Sequence, residues 1–345
     1  MEGPQPPNTI VPVDVSPKIL SLYWLIGSAR VNIRIEHREA FEQQQNASSF
    51  MQIQELYFIQ FDEDLLEYAW LIRHCPRLRR LTWFTGRSIQ HQQPDHLKMK
   101  ALSNWIRAAG ASCQNLEEIG LPYSRFENKD WDRLLSSIRL LSCLDLNVST
   151  FNEESWKILQ AYPRHLTTLR GLDLRRCCLP GTATHAMMCE MPNLEVFRTC
   201  NTLSTLDLQE DPRPWICMGL KELALTFMVV PDGIVKKESS FDDYLGDSKI
   251  VKAPSDSQRE NEDIFHRIAG LRSLEVLSAF ALLDFGRDEI RQELKVPGQL
   301  DQWQGTLKRL RKLGPQVRRI RAEDTQWFLE HWPQIEIDYQ CYWSD

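Results

Sequence analysis

Leu169-Arg-Gly-Leu172-Asp-Leu174-Arg-Arg-Cys177-Cys178-Leu179 is the stretch that decides the fold. Leu172 and Leu174 alternate, which puts both on one face of an extended strand. The three-residue gaps on either side mark where the chain turns into that strand and out of it. Reading outward, the same apolar-x-x-apolar-x-apolar pattern begins at Ile53 (Ile53, Leu56, Phe58), Leu78 (Leu78, Leu81, Trp83), Leu116 (Leu116, Ile119, Leu121), Leu141 (Leu141, Leu144, Leu146), Leu194 (Leu194, Phe197), Leu220 (Leu220, Leu223, Leu225) and Leu274 (Leu274, Leu277, Ala279). A second Leu-Asp-Leu at 206–208 falls inside a normal interval and reads as part of a return segment.

Most of these starts lie 25 to 28 residues apart, inside the range of about 20 to 29 that defines a leucine-rich repeat. Two intervals are longer, and each contains a polar stretch, Gly86–Lys98 in one and Lys236–Asp263 in the other. Helical stripes fill the spaces between the strands. Asp62 precedes Leu65, Leu66, Ala69 and Ile72; Leu97 to Ile106 form a stripe closed by Gly110; Trp131, Leu134, Leu135 and Ile138 form a third; Trp156 and Leu159 follow Asn152. Each repeat is therefore a strand plus a helix, which cannot bury its apolar side unless its neighbours stack on it. The expected fold is an α/β leucine-rich-repeat solenoid of about ten repeats, a horseshoe with a parallel inner sheet and outer helices.

The expected organisation is a flexible N-terminus over 1–17 and one solenoid over 18–345. Within the solenoid, 18–49 forms an N-terminal cap, 236–263 a disordered acidic insertion and 327–345 a C-terminal cap. At about 150 residues per domain, 345 residues would otherwise suggest two or three domains. With 42% hydrophobic and 26% charged residues the composition is that of a folded globular chain, and a net charge of −6 creates no global attraction to nucleic acid or anionic membrane. The longest apolar runs, 19–26 and 223–230, are too short to span a bilayer. The nine cysteines, without a CxxC pair, read as buried reduced thiols of a cytoplasmic or nuclear protein.

The lead-ins Cys75-Pro-Arg-Leu78-Arg-Arg-Leu81, Cys113-Gln-Asn-Leu116 and Met191-Pro-Asn-Leu194 resemble the cysteine-containing, ribonuclease-inhibitor-like repeats of F-box proteins. Asp211-Pro-Arg-Pro-Trp215-Ile-Cys217-Met-Gly-Leu220 and Trp327-Phe-Leu-Glu-His-Trp332-Pro-Gln-Ile335 are similar to large fungal families of such proteins. The resemblance implies a substrate-recognition subunit of a cullin-type ubiquitin ligase, with ligase subunits as further partners. No F-box is recognisable in the first 50 residues, so the resemblance carries the recognition role. The alternative is a scaffold or an enzyme inhibitor or regulator with no ligase link.

In an L-x-x-L-x-L strand the variable positions face away from the core. The residues expected on the concave face as a protein-binding surface are Glu55, Tyr57, Arg80, Thr82, Phe84, Glu118, Asp145, Asn147, Asp173, Arg175, Arg198 and Thr226. Aromatic residues and arginine dominate binding hot spots, which singles out Tyr57, Arg80, Phe84, Arg175 and Arg198. Lys308, Arg309, Arg311, Lys312, Arg318, Arg319 and Arg321 form a basic run. Because Leu307, Leu310 and Leu313 recur every third residue, that run reads most simply as the exposed face of a repeat helix on which an acidic ligand could dock. Nucleic acid ranks last among partners. No GxGxxG, Walker, HExxH or GxSxG sequence occurs, so the expectation is a binding module without enzymatic activity or cofactor. His185 and Cys189 share helical spacing but fall short of the three or four ligands a zinc site needs, and no metal is expected.

Overall fold

The computed structural model describes residues 10–12, 23–25, 30–32, 54–58, 68–83, 95–228, 257–280, 303, 305–314 and 322–337. The chain divides into two compact units, Met1–Leu179 and Pro180–Asp345. Each is a stack of strand-plus-helix repeats, and the fold class is an α/β leucine-rich-repeat solenoid.

The first unit opens with short strands β1 (Ile10–Pro12), β2 (Tyr23–Leu25) and β3 (Arg30–Asn32). β2 pairs antiparallel with both neighbours, and β3 runs parallel to β4 (Glu55–Phe58). β1 thus lies in the stretch expected to be flexible, and β2 and β3 in the expected cap. The repeats proper continue through β5 (Arg80–Trp83), β6 (Glu118–Gly120), β7 (Cys143–Asp145) and β8 (Gly171–Leu174), all parallel. Their register aligns Leu56, Leu81, Ile119, Leu144 and Leu172, and all five are buried.

That register is set before each strand begins. Leu78 N–H donates to the Cys75 carbonyl and Leu116 N–H to the Cys113 carbonyl, both at 3.0 Å, closing a tight lead-in turn. Two successive amides then converge on one carbonyl of the preceding repeat. Arg79 and Arg80 converge on Gln54, Glu117 and Glu118 on Arg79, Ser142 and Cys143 on Glu117, and Arg170 and Gly171 on Ser142. The Cys113 thiol adds a contact of 3.4 Å to the Cys75 carbonyl, so the cysteine of one turn ties down its neighbour.

Behind the sheet lie α1 (Tyr68–Arg73), α2 (Asp95–Ser112), α3 (Asn128–Ser137), α4 (Glu153–Gln160) and α5 (Pro163–Thr168). Their apolar stripes are buried at Leu102, Trp105 and Ile106, at Trp131, Leu134 and Leu135, and at Trp156 and Leu159. Asn152 caps α4 by accepting from Ser155 N–H, and Trp131 Nε1–H donates to the Ser155 carbonyl at 3.0 Å. One capped turn therefore also anchors the neighbouring helix.

The second unit contains α6 (Gly181–Glu190), β9 (Val196–Ser204), α7 (Thr205–Glu210), β10 (Glu222–Met228), α8 (Ser257–Gly270), β11 (Val276–Phe280), β12 (Lys312–Leu313), α9 (Ala322–His331) and β13 (Glu336–Ile337). β9 to β13 pair parallel in that order. The lead-in turn recurs at Cys217–Leu220, Leu271–Leu274, Leu307–Leu310 and Trp332–Ile335. The return segment expected at Leu206–Leu208 is α7, held by a reciprocal cap: Asp207 N–H donates to Ser204 Oγ at 3.2 Å, and Ser204 N–H donates to the Asp207 carboxylate at 2.8 Å. Gly181 starts α6 hard against this cap. A Cβ there would stand 2.1 Å from Asp207 Oδ2 and 2.7 Å from the Thr202 carbonyl.

Two local expectations are corrected. The basic run is not a helix face over its described part: 307–310 is a lead-in turn and Lys312–Leu313 is strand β12. Leu307, Leu310 and Leu313 repeat at the spacing of Cys75, Leu78 and Leu81, which serves a turn and strand as well as a helix. Residues 257–263, placed in the acidic insertion, form the first half of α8, whose second half buries Ile264, Ile268 and Ala269. Residues 236–256 lie outside the described residues.

Candidate functional site

The helix-free face of each sheet carries the variable strand positions. In the first unit, register partners Glu55, Arg80, Glu118, Cys143 and Gly171 form one row, and Tyr57, Thr82, Gly120, Asp145 and Asp173 form the next. Arg80 sits between two carboxylates. It pairs with Glu118 through Nε and lies 3.6 Å from Glu55. Immediately after the strand, Arg175 makes a bidentate pair with Asp173, with Nη2 at 2.8 Å and Nε at 3.0 Å. Asp173 also accepts from Arg175 N–H, as Asp145 accepts from Asn147 N–H. These Asx turns hold both aspartates over their own strands, and Asp173 is buried, contrary to its expected place as an open surface residue.

Small residues form the floor between these charges. A Cβ on Gly120 would come within 3.0 Å of Thr82 Cγ2, and one on Gly171 within 3.0 Å of Cys143 Sγ. Thr82 and Cys143 thus lean over the glycines of the next strand and fill the space that a larger residue there would need. The Cys143 thiol is half-buried, and burial, followed by the Glu118 charge, raises its pKa. It is a packing group here rather than an activated thiolate.

In the second unit the rows are Val196, Glu222, Val276 and Lys312, then Arg198, Ala224 and Ser278. Arg198 forks onto Glu222, with Nε at 2.6 Å and Nη2 at 2.8 Å, and Lys312 pairs with Glu336 at 2.8 Å. Thr226 is half-exposed on β10 and its hydroxyl lies 3.4 Å from the Cys200 carbonyl. Sequence reasoning placed Arg80, Thr82, Glu118, Asp145, Asn147, Arg175, Arg198 and Thr226 on this side of their sheets. It did not foresee that the arginines are paired within the face. The backbone of Tyr57 belongs to β4, whereas Phe84, Arg318, Arg319 and Arg321 lie outside the described residues. Lys308, Arg309 and Arg311 sit on the turn ahead of β12, at the edge of the sheet, with Arg311 paired to Glu275 at 2.8 Å.

The thiols and histidines elsewhere have structural roles. Cys75, Cys113, Cys177, Cys189 and Cys217 are buried, while Cys178 and Cys200 are exposed, contrary to the expectation of buried thiols. Burial pushes Cys113 and Cys217 up to about 12 and Cys189 up to about 11. His185 lies within 3.4 Å of the Cys189 sulfur. Trp215 Nε1–H donates to His185 Nδ1 at 3.1 Å, so Nε2 carries the proton and donates to the Asp211 carbonyl at 2.7 Å. Both ring nitrogens are engaged in fastening the 211–215 segment to α6, and burial lowers the His185 pKa. Among the described residues no group of three or more histidine, cysteine, aspartate or glutamate side chains could hold a metal ion. No described helix is long and apolar enough to cross a membrane.

No protein-family model matches the chain, and no curated protein matches it. Among solved structures, the chain is similar to the Rad7 and Elc1 complex of yeast, at 16% identity and a TM-score of 0.49, covering 88% of this chain and 66% of that one. It therefore spans slightly less than two thirds of that chain's length. It is also similar to a leucine-rich-repeat protein of Leptospira interrogans, at 12% identity and a TM-score of 0.27 over 83% of this chain and 90% of that one. A third likeness is to a Bacteroides fragilis protein, at 12% identity and a TM-score of 0.33 over 88% and 72% of the two chains.

Proposed function

We propose that the protein is a non-enzymatic recognition module that holds a protein partner on the helix-free faces of its sheets. One observation carries this reading. Arg80, Arg175 and Arg198 are each fixed by a carboxylate, yet their side chains remain 30%, 45% and 37% exposed. An arginine already held in one rotamer loses little further entropy when a partner binds, so it contributes more of its contact energy to affinity. The repeat lead-ins resemble those of F-box proteins, which supports the finer reading of a substrate-recognition subunit of a cullin-type ubiquitin ligase.

Photo-crosslinking tests both levels. A crosslinking amino acid placed at Thr82 should capture a partner in the native cell that the same residue at Arg107, on the exposed side of α2, does not. Combining Arg80→Ala with Arg175→Ala should reduce that capture. Because the change removes the guanidinium paired with buried Asp173, it should also lower the melting temperature, so capture is compared at a temperature where both proteins are folded. Equal capture from both positions would reject the inner face. Cullin-complex subunits in the same purification would support the receptor reading, and their absence alongside a face-dependent partner would make this a free-standing binding module.

A further inference from the structure

We infer that the turn edge of the second unit is a separate docking surface for an acidic polypeptide segment carrying an apolar side chain. Register places three turns side by side. Glu222, Val276 and Lys312 are aligned across β10, β11 and β12, so Met218, Arg272 and Lys308, each four residues upstream, stand in line on the lead-in turns. Arg309 follows Lys308 on the same turn, and all three cations are exposed. With parallel strands about 4.8 Å apart, the line is about 10 Å long, or roughly three residues of an extended peptide.

The charge on this edge is unbalanced for a visible reason. The row directly below, at the strand starts, is neutralised in pairs, Lys221 with Glu195 and Arg311 with Glu275. Arg272, Lys308 and Arg309 make no ion pair among the described residues, and their turns contain no acid. They form a local positive patch on a chain whose net charge is −6. Apolar surface adjoins it. Met218 is 51% exposed and Ile216 39% exposed, on either side of buried Cys217, and a Cβ on Gly219 would meet nothing within 4 Å. Nothing on that turn obstructs an incoming chain.

Three cations are few against the six to ten phosphate contacts typical of nucleic-acid sites, and exposed aliphatic side chains add nothing to phosphate binding. A short acidic motif with one apolar residue satisfies both halves of the patch. This surface is distinct from the inner face and does not depend on the reading proposed for it.

The test is fluorescence anisotropy of the full chain with a labelled random glutamate–tyrosine copolymer at low salt. The variant R272E/K308E/R309E should weaken binding by about tenfold or more. The variant R73E/K100E/R107E, with the same change of net charge on exposed residues of the first unit, should stay within about twofold of wild type. Neutral R272Q/K308Q/R309Q should give an intermediate loss, and polyglutamate without tyrosine should bind more weakly than the copolymer. Melting curves of the variants should match wild type, since the altered side chains are exposed. No binding by wild type, equal losses in both reversal variants, or tighter binding of oligo(dT) than of the copolymer would each overturn the proposal.

Discussion

The two units share the first half of their repeat and differ in how they end it. In Met1–Leu179 the chain leaves three successive strands through a residue in the left-handed region, Tyr123, Val148 and Arg176, with φ near +60°. In Pro180–Asp345 β9 and β10 run on for nine and seven residues. The difference lies in the residues that follow the last repeat leucine. After Leu121, Leu146 and Leu174 the third residue is small, Ser124, Ser149 or Cys177, and it tucks beneath the strand end. The Cys177 thiol lies 3.2 Å from the Leu146 carbonyl, and Ser149 N–H donates to the same carbonyl at 3.0 Å. In β10 the apolar alternation instead continues through Leu223, Leu225 and Phe227, all fully buried, so extended pairing persists. β9 is extended differently. Buried Thr199 replaces the last leucine, its hydroxyl accepts from Asn201 N–H, and the register slips against β10 between Ala224 and Thr226.

The largest effect expected from this contrast falls on the half that both units share. Leu172→Asp buries an uncompensated carboxylate in β8 and should cost about 4 kcal/mol or more, spreading through neighbouring repeats that share its core. Limited proteolysis should then cut throughout 95–179, and cleavage confined to one repeat would contradict a shared core. Phe227→Ala should cost about 3–5 kcal/mol in denaturant melts, because it removes the residue that extends β10 and packs by Trp215. A loss under about 1 kcal/mol would mean that the extension is not held by its apolar alternation.

The second unit should also be sensitive to acid. The folded-state pKa of His185 is lowered from its ordinary value near 6.5, so the folded protein binds fewer protons than the unfolded chain. Its contribution is present above about pH 6.5 and is lost as pH falls below that value, because protonating Nδ1 breaks the Trp215 bond. Between about pH 7.5 and 5.5, wild type should lose stability with a slope of up to about 1.4 kcal/mol per pH unit from this site, and His185→Gln should flatten the dependence. An identical slope in the variant would place the sensitivity elsewhere.

The smallest effect is the sharpest test of the two strand endings. Val148→Gly should stabilise by about 0.5 kcal/mol, because relief of a left-handed β-branched residue slightly outweighs the entropy of glycine. Thr226→Gly, in the extended strand of the other unit, should destabilise by about 1 kcal/mol. The same sign for both substitutions would erase the distinction between the endings.

Much of the fold was legible because its signals are local. The leucines of L-x-x-L-x-L sit on one side of a strand by backbone geometry alone, and Leu169, Leu172 and Leu174 are all buried as that geometry requires. Asn152 announces α4 because its side chain satisfies an amide three residues on. The side of the sheet on which Arg80, Arg175 and Arg198 fall follows from the same alternation.

What tertiary structure alone decided is everything that depends on a neighbouring strand or helix. The spacing of Leu307, Leu310 and Leu313 fits a helix and a lead-in turn equally well, and pairing of β12 with β11 selects the turn. The polar start of α8 is helical because Ile264 and Ile268 downstream find a core. Glu222, 24 residues from Arg198 in sequence, becomes its partner only through register. The repeat leucines are specified by the chain's own dihedral periodicity. The paired face and the cationic turn edge exist only once separate repeats are set side by side about 4.8 Å apart.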